Sequence, residues 1–327
     1  MNGIKIMDVS LRDGGYLNNW QFRKDQVKRI CYILDDIKID YIEVGYLSDE
    51  LCLGMDNKTA LELLAEIKKN IDHSELVLMV NPKNKAVGNM LFNFSDYISF
   101  IRIPCDFTNL KNALILAENV KKTNIKVSLN LISISQYNYD ELFDFIATIS
   151  NSNLIDVLYI ADSRGSLHPE EVLAIIQNIK LYYHKPIGFH AHDNLDLALA
   201  NTLISIKAGC EFVDGSVKGF GLGGGNTHIN LLLKYVKGVD AGSSEVKASF
   251  RELVQLLNLV KPKGLERQLY RFSAAKNLEQ EWVPILMEKY SDNSLAIIKS
   301  IPKKVYKNNE NIYDIHEKLL YGEGDSC

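Results

Sequence analysis

Two histidines, His190 and His192, lie two residues apart in the stretch Gly188–Asn194. If that stretch is extended, residues i and i+2 point to the same face, so both imidazoles look into one cavity while Ala191 looks away. Two neutral imidazoles converging from one strand make half of a metal site; a hydrogen-bonded histidine pair at a strand end is the other reading. Asp13, far earlier in the chain, would complete a set of one carboxylate and two imidazoles. Such a set carries one negative charge and suits a divalent ion: Mn²⁺ first, then Mg²⁺, Zn²⁺, Fe²⁺ or Co²⁺. Three protein ligands leave coordination positions for a chelating substrate. Alone, Asp13 reads as a loop cap; on the same rim as the histidine pair it reads as a ligand.

Other residues of useful chemistry accompany these three. Arg12 could stabilise an oxyanion or enolate, and Glu43 could pair with it and aim the guanidinium. Arg102 and Ser163 are candidate substrate contacts. So are Gly221 and Gly223, in a run with Gly219, Gly224 and Gly225 that could let the backbone approach an anion closely, or could simply serve a turn. Asn226 closes that run; it could reach the metal or substrate, or cap the next helix. Tyr46, Asn130 and Tyr159 could line a pocket or merely pack.

These residues must be positioned by the elements around them. Strand patterns are expected at 4–9, 41–45, 76–80, 98–103, 126–131, 157–161, 186–192 and 212–216. Helical periodicity separates them at 23–37, 58–70, 84–94, 109–122, 139–150, 169–181 and 195–208, with Ser166 a candidate cap for 169–181 and Gly209 a stop after 208. Eight βα units, several with continuous apolar strands, predict a (β/α)8 TIM barrel over 1–243, with a doubly wound sheet as the alternative. In such a barrel the groups named above gather at the C-terminal ends of the strands. No strand pattern follows residue 243. A helical extension over 244–321 is expected, with helices near 245–258, 265–279, 282–290 and 294–300, a solvated basic run at 299–307 and a flexible tail at 322–327.

Composition narrows the class. The chain has 327 residues, a net charge of -4 and 46% hydrophobic residues. The slightly acidic balance gives no footprint for nucleic acid or anionic membrane, and no apolar run approaches the roughly 18 residues needed to span a bilayer. Residues 1–5 lead directly into the first strand, so no secretory leader is expected. Five cysteines without Cys-x-x-Cys spacing fit a reduced, cytoplasmic protein.

Together, Ile6–Gly14, Ile42–Gly45, Ala161–Leu167, His190–Asn194 and Gly219–Asn226 resemble the signatures of the DRE-TIM metallolyase (HMGL-like) superfamily, in the same order. Gly188–Asn226 is most similar to the 4-hydroxy-2-oxovalerate aldolase branch. The resemblance implies a divalent metal held by Asp13, His190 and His192, with Arg12 stabilising a metal-bound pyruvate enolate and Glu43 positioning Arg12. It implies a class II pyruvate-type aldolase that forms or cleaves a 4-hydroxy-2-oxo acid from pyruvate, or another 2-oxo acid, and an aldehyde. The alternative within the superfamily is a Claisen-type acyl-CoA synthase; iron oxygenase chemistry and a non-catalytic metal scaffold are the readings from other classes. A homo-oligomer is expected. The aldolase branch carries a catalytic histidine shortly after Arg-Asp-Gly. Here Tyr16 occupies about that place and becomes the candidate acid/base, provided its phenol is lowered beside the cation. The lyase branch's cysteine is absent from Gly223–Gly225. The extension does not match the aldolase's partner-binding domain, which leaves docking to an aldehyde dehydrogenase unsupported.

Overall fold

The computed structural model describes residues 3–48, 51–84, 87–240 and 242–307. Eight parallel strands run β1 (Lys5–Asp8), β2 (Tyr41–Leu47), β3 (Glu75–Val80), β4 (Phe100–Cys105), β5 (Lys126–Leu131), β6 (Val157–Asp162), β7 (Ile187–Ala191) and β8 (Phe212–Gly215). Each pairs with its successor, and β1 pairs with both β8 and β2, so the sheet closes into a (β/α)8 barrel rather than an open doubly wound sheet. A short antiparallel hairpin, Leu51–Cys52 and Met55–Asp56, prolongs β2 beyond the rim.

Helices α1 (Lys24–Asp36), α2 (Asn57–Lys69), α3 (Val87–Phe94), α4 (Leu110–Val120), α5 (Tyr139–Ser150), α6 (Pro169–Lys180), α7 (Ala198–Ala208) and α8 (Ile229–Lys237) follow the strands in turn. Their ends have local causes. The Asn138 side chain accepts from the Glu141 N–H and the Glu141 side chain returns the bond, a reciprocal cap for α5. Gly209 ends α7 in the left-handed region, as the sequence suggests. The cap of α6 is His168 with Glu171, not Ser166; the Ser166 N–H is held instead by Asp162 at 3.0 Å. Helix α7 begins three residues later than periodicity predicts, because the Asp193 carboxylate accepts from the Ala198 N–H at 3.0 Å and fixes the turn before it.

Along each strand, alternate residues face helices or barrel interior. Ile187, Phe189 and Ala191 of β7 join the outer core between sheet and helices. The interior floor is apolar and aromatic: Met7, Tyr41, Val77, Phe100, Val157 and Tyr159, with Phe212 against them. Gly188 faces this floor because a Cβ there would lie 2.5 Å from the Tyr159 ring.

Beyond the barrel come α9 (Ser244–Leu256), α10 (Gly264–Ala275), α11 (Trp282–Tyr290) and α12 (Ser294–Ser300). The last three build a small apolar core of their own around Leu269, Leu278, Val283, Leu286 and Ile298. Residues 276–282 between α10 and α11 cross to the barrel rim. Arg164, fully buried after β6, donates to Glu279 at 2.8 Å and to the Asn277 carbonyl at 2.9 Å. Asn277 also pairs with Ser135 and Ser166. The tail expected at 322–327, and the end of the extension after 307, lie outside the described residues. Among those residues no helix is long and apolar enough to cross a membrane.

Two stability predictions follow from these contacts. Arg164→Leu leaves Glu279, which faces the cavity at the barrel rim, with the Ser133 hydroxyl, and losing charged hydrogen bonds of this kind costs about 2 kcal/mol. Urea unfolding should report that loss, with faster proteolysis after residue 264; wild-type stability would mean the extension is held otherwise. The second concerns His228, which precedes α8 with its Nε2 3.2 Å from Lys261 Nζ. Burial, then the Lys261 and Lys218 charges, hold its imidazole down at about 4. The unfolded chain takes up this proton near pH 6.5 and the folded chain only near pH 4, so stability falls as pH drops through that window. His228→Gln should make the pH–stability slope between those limits shallower; an unaltered slope would contradict the assignment.

Candidate metal centre

Asp13, His190 and His192 converge at the C-terminal mouth of the barrel, with one ligand atom from each within 4.8 Å of the others. All three are buried. His190 comes from the interior face of β7. His192 continues that face one step beyond the strand, bridged to Asn226. Asp13 is carried by the turn after β1, where its N–H bonds the Val9 carbonyl at 2.8 Å.

The polarity of these groups fits a cation. His190 Nδ1 lies 2.9 Å from Asp214 Oδ2, and His192 Nδ1 lies 3.4 Å from the Leu222 carbonyl. A carboxylate accepts, so His190 Nδ1 carries a hydrogen and its Nε2 faces the mouth; His192 Nδ1 has both the Leu222 carbonyl and the Gln280 amide nitrogen at 3.4 Å. The two Nε2 atoms stand 3.3 Å apart. Two imidazole nitrogens this close in a buried site suit a shared cation. Burial, with only partial relief from Asp13, holds the His192 imidazole down at about 4, so it is neutral and able to ligate at ordinary pH. Burial alone would push Asp13 up; Arg12 and the two histidines outweigh it and hold the carboxyl at about 2. The Asn226 side chain donates to Asp13 Oδ2 at 2.6 Å, and its own Oδ1 is buried without a partner. Asn226 is therefore no helix cap; its amide oxygen is a fourth available donor. The donor set fits a divalent ion.

A chain of alternating charges supports this set from below. Arg12 Nε donates to Glu43 Oε2 at 2.7 Å, and Arg12 Nη1 to Asp13 Oδ1 at 2.7 Å. The same Glu43 oxygen accepts from Arg102 at 3.1 Å, and Arg102 donates to Asp214 Oδ2 at 2.7 Å. Asp214 in turn holds His190, giving a carboxylate–imidazole support of the kind that orients metal ligands. Burial pushes Asp214 up, but Arg102 and His190 outweigh it and keep the carboxyl below its ordinary value. A bulge in β2 after Glu43 separates this carboxylate from Tyr46, which reaches the rim.

Above the ligands opens a cavity of about 860 Å³. Arg12, Tyr16, Tyr46, Asn130 and Ser163 line it, as does the extension through Glu279, Gln280, Glu281 and Trp282. The Ser163 hydroxyl accepts from the Ser133 N–H at 2.9 Å and keeps its own hydrogen to donate. The Tyr16 and Tyr46 hydroxyls lie 2.9 Å apart. Burial, and next Tyr46, push the Tyr16 phenol up rather than down, so the lowered phenol expected of an acid/base is not met and Tyr16 stays a protonated hydrogen-bonding group.

Three further expectations need correcting. Arg102 and Tyr159 do not line this cavity; Arg102 is fully buried, with Tyr159 stacked 4.2 Å from its guanidinium carbon. Arg102 is the third residue of β4, and the interior position at the rim is Pro104, two residues on. Gly221 and Gly223 do not line the cavity either. A Cβ on Gly221 would lie 2.4 Å from Asp13 Oδ2, and one on Gly223 would lie 2.4 Å from Gln280 Oε1. Within the glycine run, the N–H groups of Gly219, Gly224 and Gly225 are bonded to Ser216, Asn194 and Leu222 and offer an anion nothing. The run packs the loop tightly behind Asp13 and Asn226. Two groups of residues escape the sequence reading. Asp214 becomes visible only when the pairing of Val213 with Phe189 sets it beside His190. Residues 279–282 carry no local signal, since only tertiary docking brings them to the mouth.

Comparison with known proteins finds relatives over most of the barrel. A 4-hydroxy-2-oxovalerate aldolase of Brevibacillus brevis is 31% identical over 237 residues, covering 70% of this chain and 68% of the relative. An oxaloacetate decarboxylase of Mycobacterium tuberculosis is 28% identical over 231 residues, covering 70% of this chain and 68% of that one. The crystal structure of the N-terminal domain of a candidate aldolase from Bacteroides vulgatus superposes with a TM-score of 0.75 at 29% identity, over 90% of this chain and 99% of that one. The HMGL-like family model matches residues 3–260, most of the chain, and the chain therefore belongs to the HMGL-like family.

Proposed function

We propose that this chain is a divalent-metal-dependent carbon–carbon lyase, an aldolase of the class II pyruvate type, that forms or cleaves a 4-hydroxy-2-oxo acid. The observation that carries the reading is the buried Asp13–His190–His192 set with Arg12 bonded to one of its ligands. Asp13, His190 and His192 would hold the ion, with Asn226 Oδ1 as a further donor. When bound, a divalent cation supplies Lewis-acid polarisation of a 2-oxo group. One carboxylate against a doubly charged ion leaves one positive charge, matched to a monoanionic 2-oxo acid such as pyruvate. The mixed oxygen and nitrogen donors favour Mn²⁺ among the candidates.

The remaining work falls to the chain's own groups. Arg12 spends Nε on Glu43 and Nη1 on Asp13; its Nη2 hydrogens take no part in either contact and serve the developing enolate oxygen. Ser163 donates its hydroxyl hydrogen to the substrate carboxylate. In the condensing direction a methyl proton leaves pyruvate to a water molecule, the resulting carbanion bonds to the aldehyde carbon, and water returns a proton to the aldehyde oxygen. The Tyr16 phenol, backed by Tyr46, stays protonated and donates a hydrogen bond to that oxygen. Four buried free cysteines support a reduced, cytoplasmic setting. Exposed Leu181, Phe143 and Tyr182, the two rings 5.0 Å apart, support self-association.

Exchange of pyruvate methyl protons with deuterated water, followed by NMR, tests this without any aldehyde. The purified protein should catalyse exchange with Mn²⁺ and lose it with chelator. Asp13→Asn should abolish exchange while leaving the circular dichroism spectrum unchanged. Asp214→Asn should weaken Mn²⁺ binding by about 10- to 100-fold through His190. Exchange that survives in Asp13→Asn would rule this aspartate out as a ligand.

A further inference from the structure

The cavity above the ligands mixes apolar and polar surface. Leu51, Met79, Pro104, Ile132 and Leu222 line it beside the neutral hydrogen-bonding groups of Tyr16, Asn19, Tyr46, Asn81 and Ser133. The chain has two tryptophans, Trp20 and Trp282, and both line this cavity. Trp20 is fixed by its Nε1–H bond to the Arg12 carbonyl at 3.0 Å and by edge contacts with Tyr16 and Tyr46 at ring separations of 4.7 and 5.6 Å. Trp282 is held by the extension's apolar core. Among the described lining residues Arg12 is the one Lys or Arg, and Glu43 and Asp13 already engage it. The extension adds two carboxylates: Glu279 is paired with Arg164, whereas Glu281 forms no ion pair among the described residues.

Tyr16 and Tyr46 bond each other and Ser133 bonds Glu279, but an alkanal would leave the Asn19 and Asn81 amides and the Glu281 carboxylate facing apolar carbon as it displaced water, which is costly for polar groups removed from solvent. A phosphorylated or carboxylated aldehyde would bring a second negative charge to a wall that offers it Glu281 and, among the described residues, no free cation. A chain of hydroxylated carbons satisfies both constraints. Its hydroxyls meet amides, phenols, serines and a carboxylate, while its C–H faces pack on flat indole surfaces that combine an apolar body with a polar edge.

Resting on the aldolase reading above, we propose that the aldehyde partner is an unphosphorylated polyhydroxy aldehyde, the open-chain form of a sugar or sugar fragment. The pyruvate methyl carbon bonds to C1 of that aldehyde and the C1 oxygen takes up the proton. The product is a 2-oxo acid hydroxylated from C4 onward; no oxidant or reductant is consumed.

The test compares matched aldehydes on the metal-loaded protein, with rates referred to the free-aldehyde concentration. Glyceraldehyde should exceed propanal in kcat/KM by about tenfold or more, since a site built to bond hydroxyls rejects the analogue lacking them. Glyceraldehyde 3-phosphate should fall about tenfold below glyceraldehyde, and Glu281→Lys should narrow that second gap. Propanal equal to or better than glyceraldehyde, or the phosphate ester equal to or better than the free form, would overturn the inference, and a gap unmoved by Glu281→Lys would count against its electrostatic half. Pyruvate exchange that persists without a preference for glyceraldehyde overturns this inference alone. Loss of exchange overturns the aldolase reading beneath it.

Discussion

The structure depends on one buried chain of alternating charge: Arg12, Glu43, Arg102, Asp214 and His190, each in contact with the next. Arg102, at its centre, is fully excluded from water. Ionic groups placed in a barrel interior are tolerable only when each is paired and hydrogen-bonded, because an isolated charge there is heavily penalised. The chain meets that condition by drawing one member or more from each of β2, β4, β7 and β8 and from the turn after β1. The same condition fixes the ligands. His190 must present Nε2 to the mouth because Asp214 holds Nδ1, and Asp13 must stay ionised because Arg12 lies against it. The supports beneath the metal centre and the polar core of the barrel are one set of contacts.

This arrangement separates two tasks by depth. The aromatic floor fills the barrel and contributes burial; the ionic layer above it orients; only the rim meets solvent and substrate. The helical extension adds a second rim. Its crossing segment brings Gln280 within 3.4 Å of His192 and seats Trp282 in the cavity wall, so the mouth is finished by residues well beyond the last barrel strand. The docking contacts are polar and local, through Arg164, Asn277 and Glu279, whereas the extension's own core is apolar and separate.

Much of this was legible in the sequence, for physical reasons that differ by residue. The two-residue period of β7 set His190 and His192 on one face without any tertiary knowledge, and the Gly-rich turn after β1 put Asp13 and Arg12 at the strand's end. Depth was not legible. Arg102 sits on the correct interior face but one layer too low for substrate, because periodicity says which way a side chain points and not how far along the barrel axis it lies. Partners on neighbouring strands were not legible either. Asp214 needs the β7–β8 register before it means anything, and Tyr46 reaches the rim only past the β2 bulge. The glycine run was read for its conformational freedom, yet its effect is steric: Gly221 is small because Asp13 and Asn226 crowd it.

The central claim is that an aspartate from the first βα turn and two histidines from the seventh strand share a single cation. The most direct measurement is a crystal structure with Mn²⁺ and oxalate, the ion located by its anomalous signal. The account predicts one peak bonded to a carboxylate oxygen of Asp13 and to Nε2 of both His190 and His192, at about 2.0–2.2 Å from each. A peak that leaves out any of these three residues, or lies at the opposite end of the barrel, would contradict it.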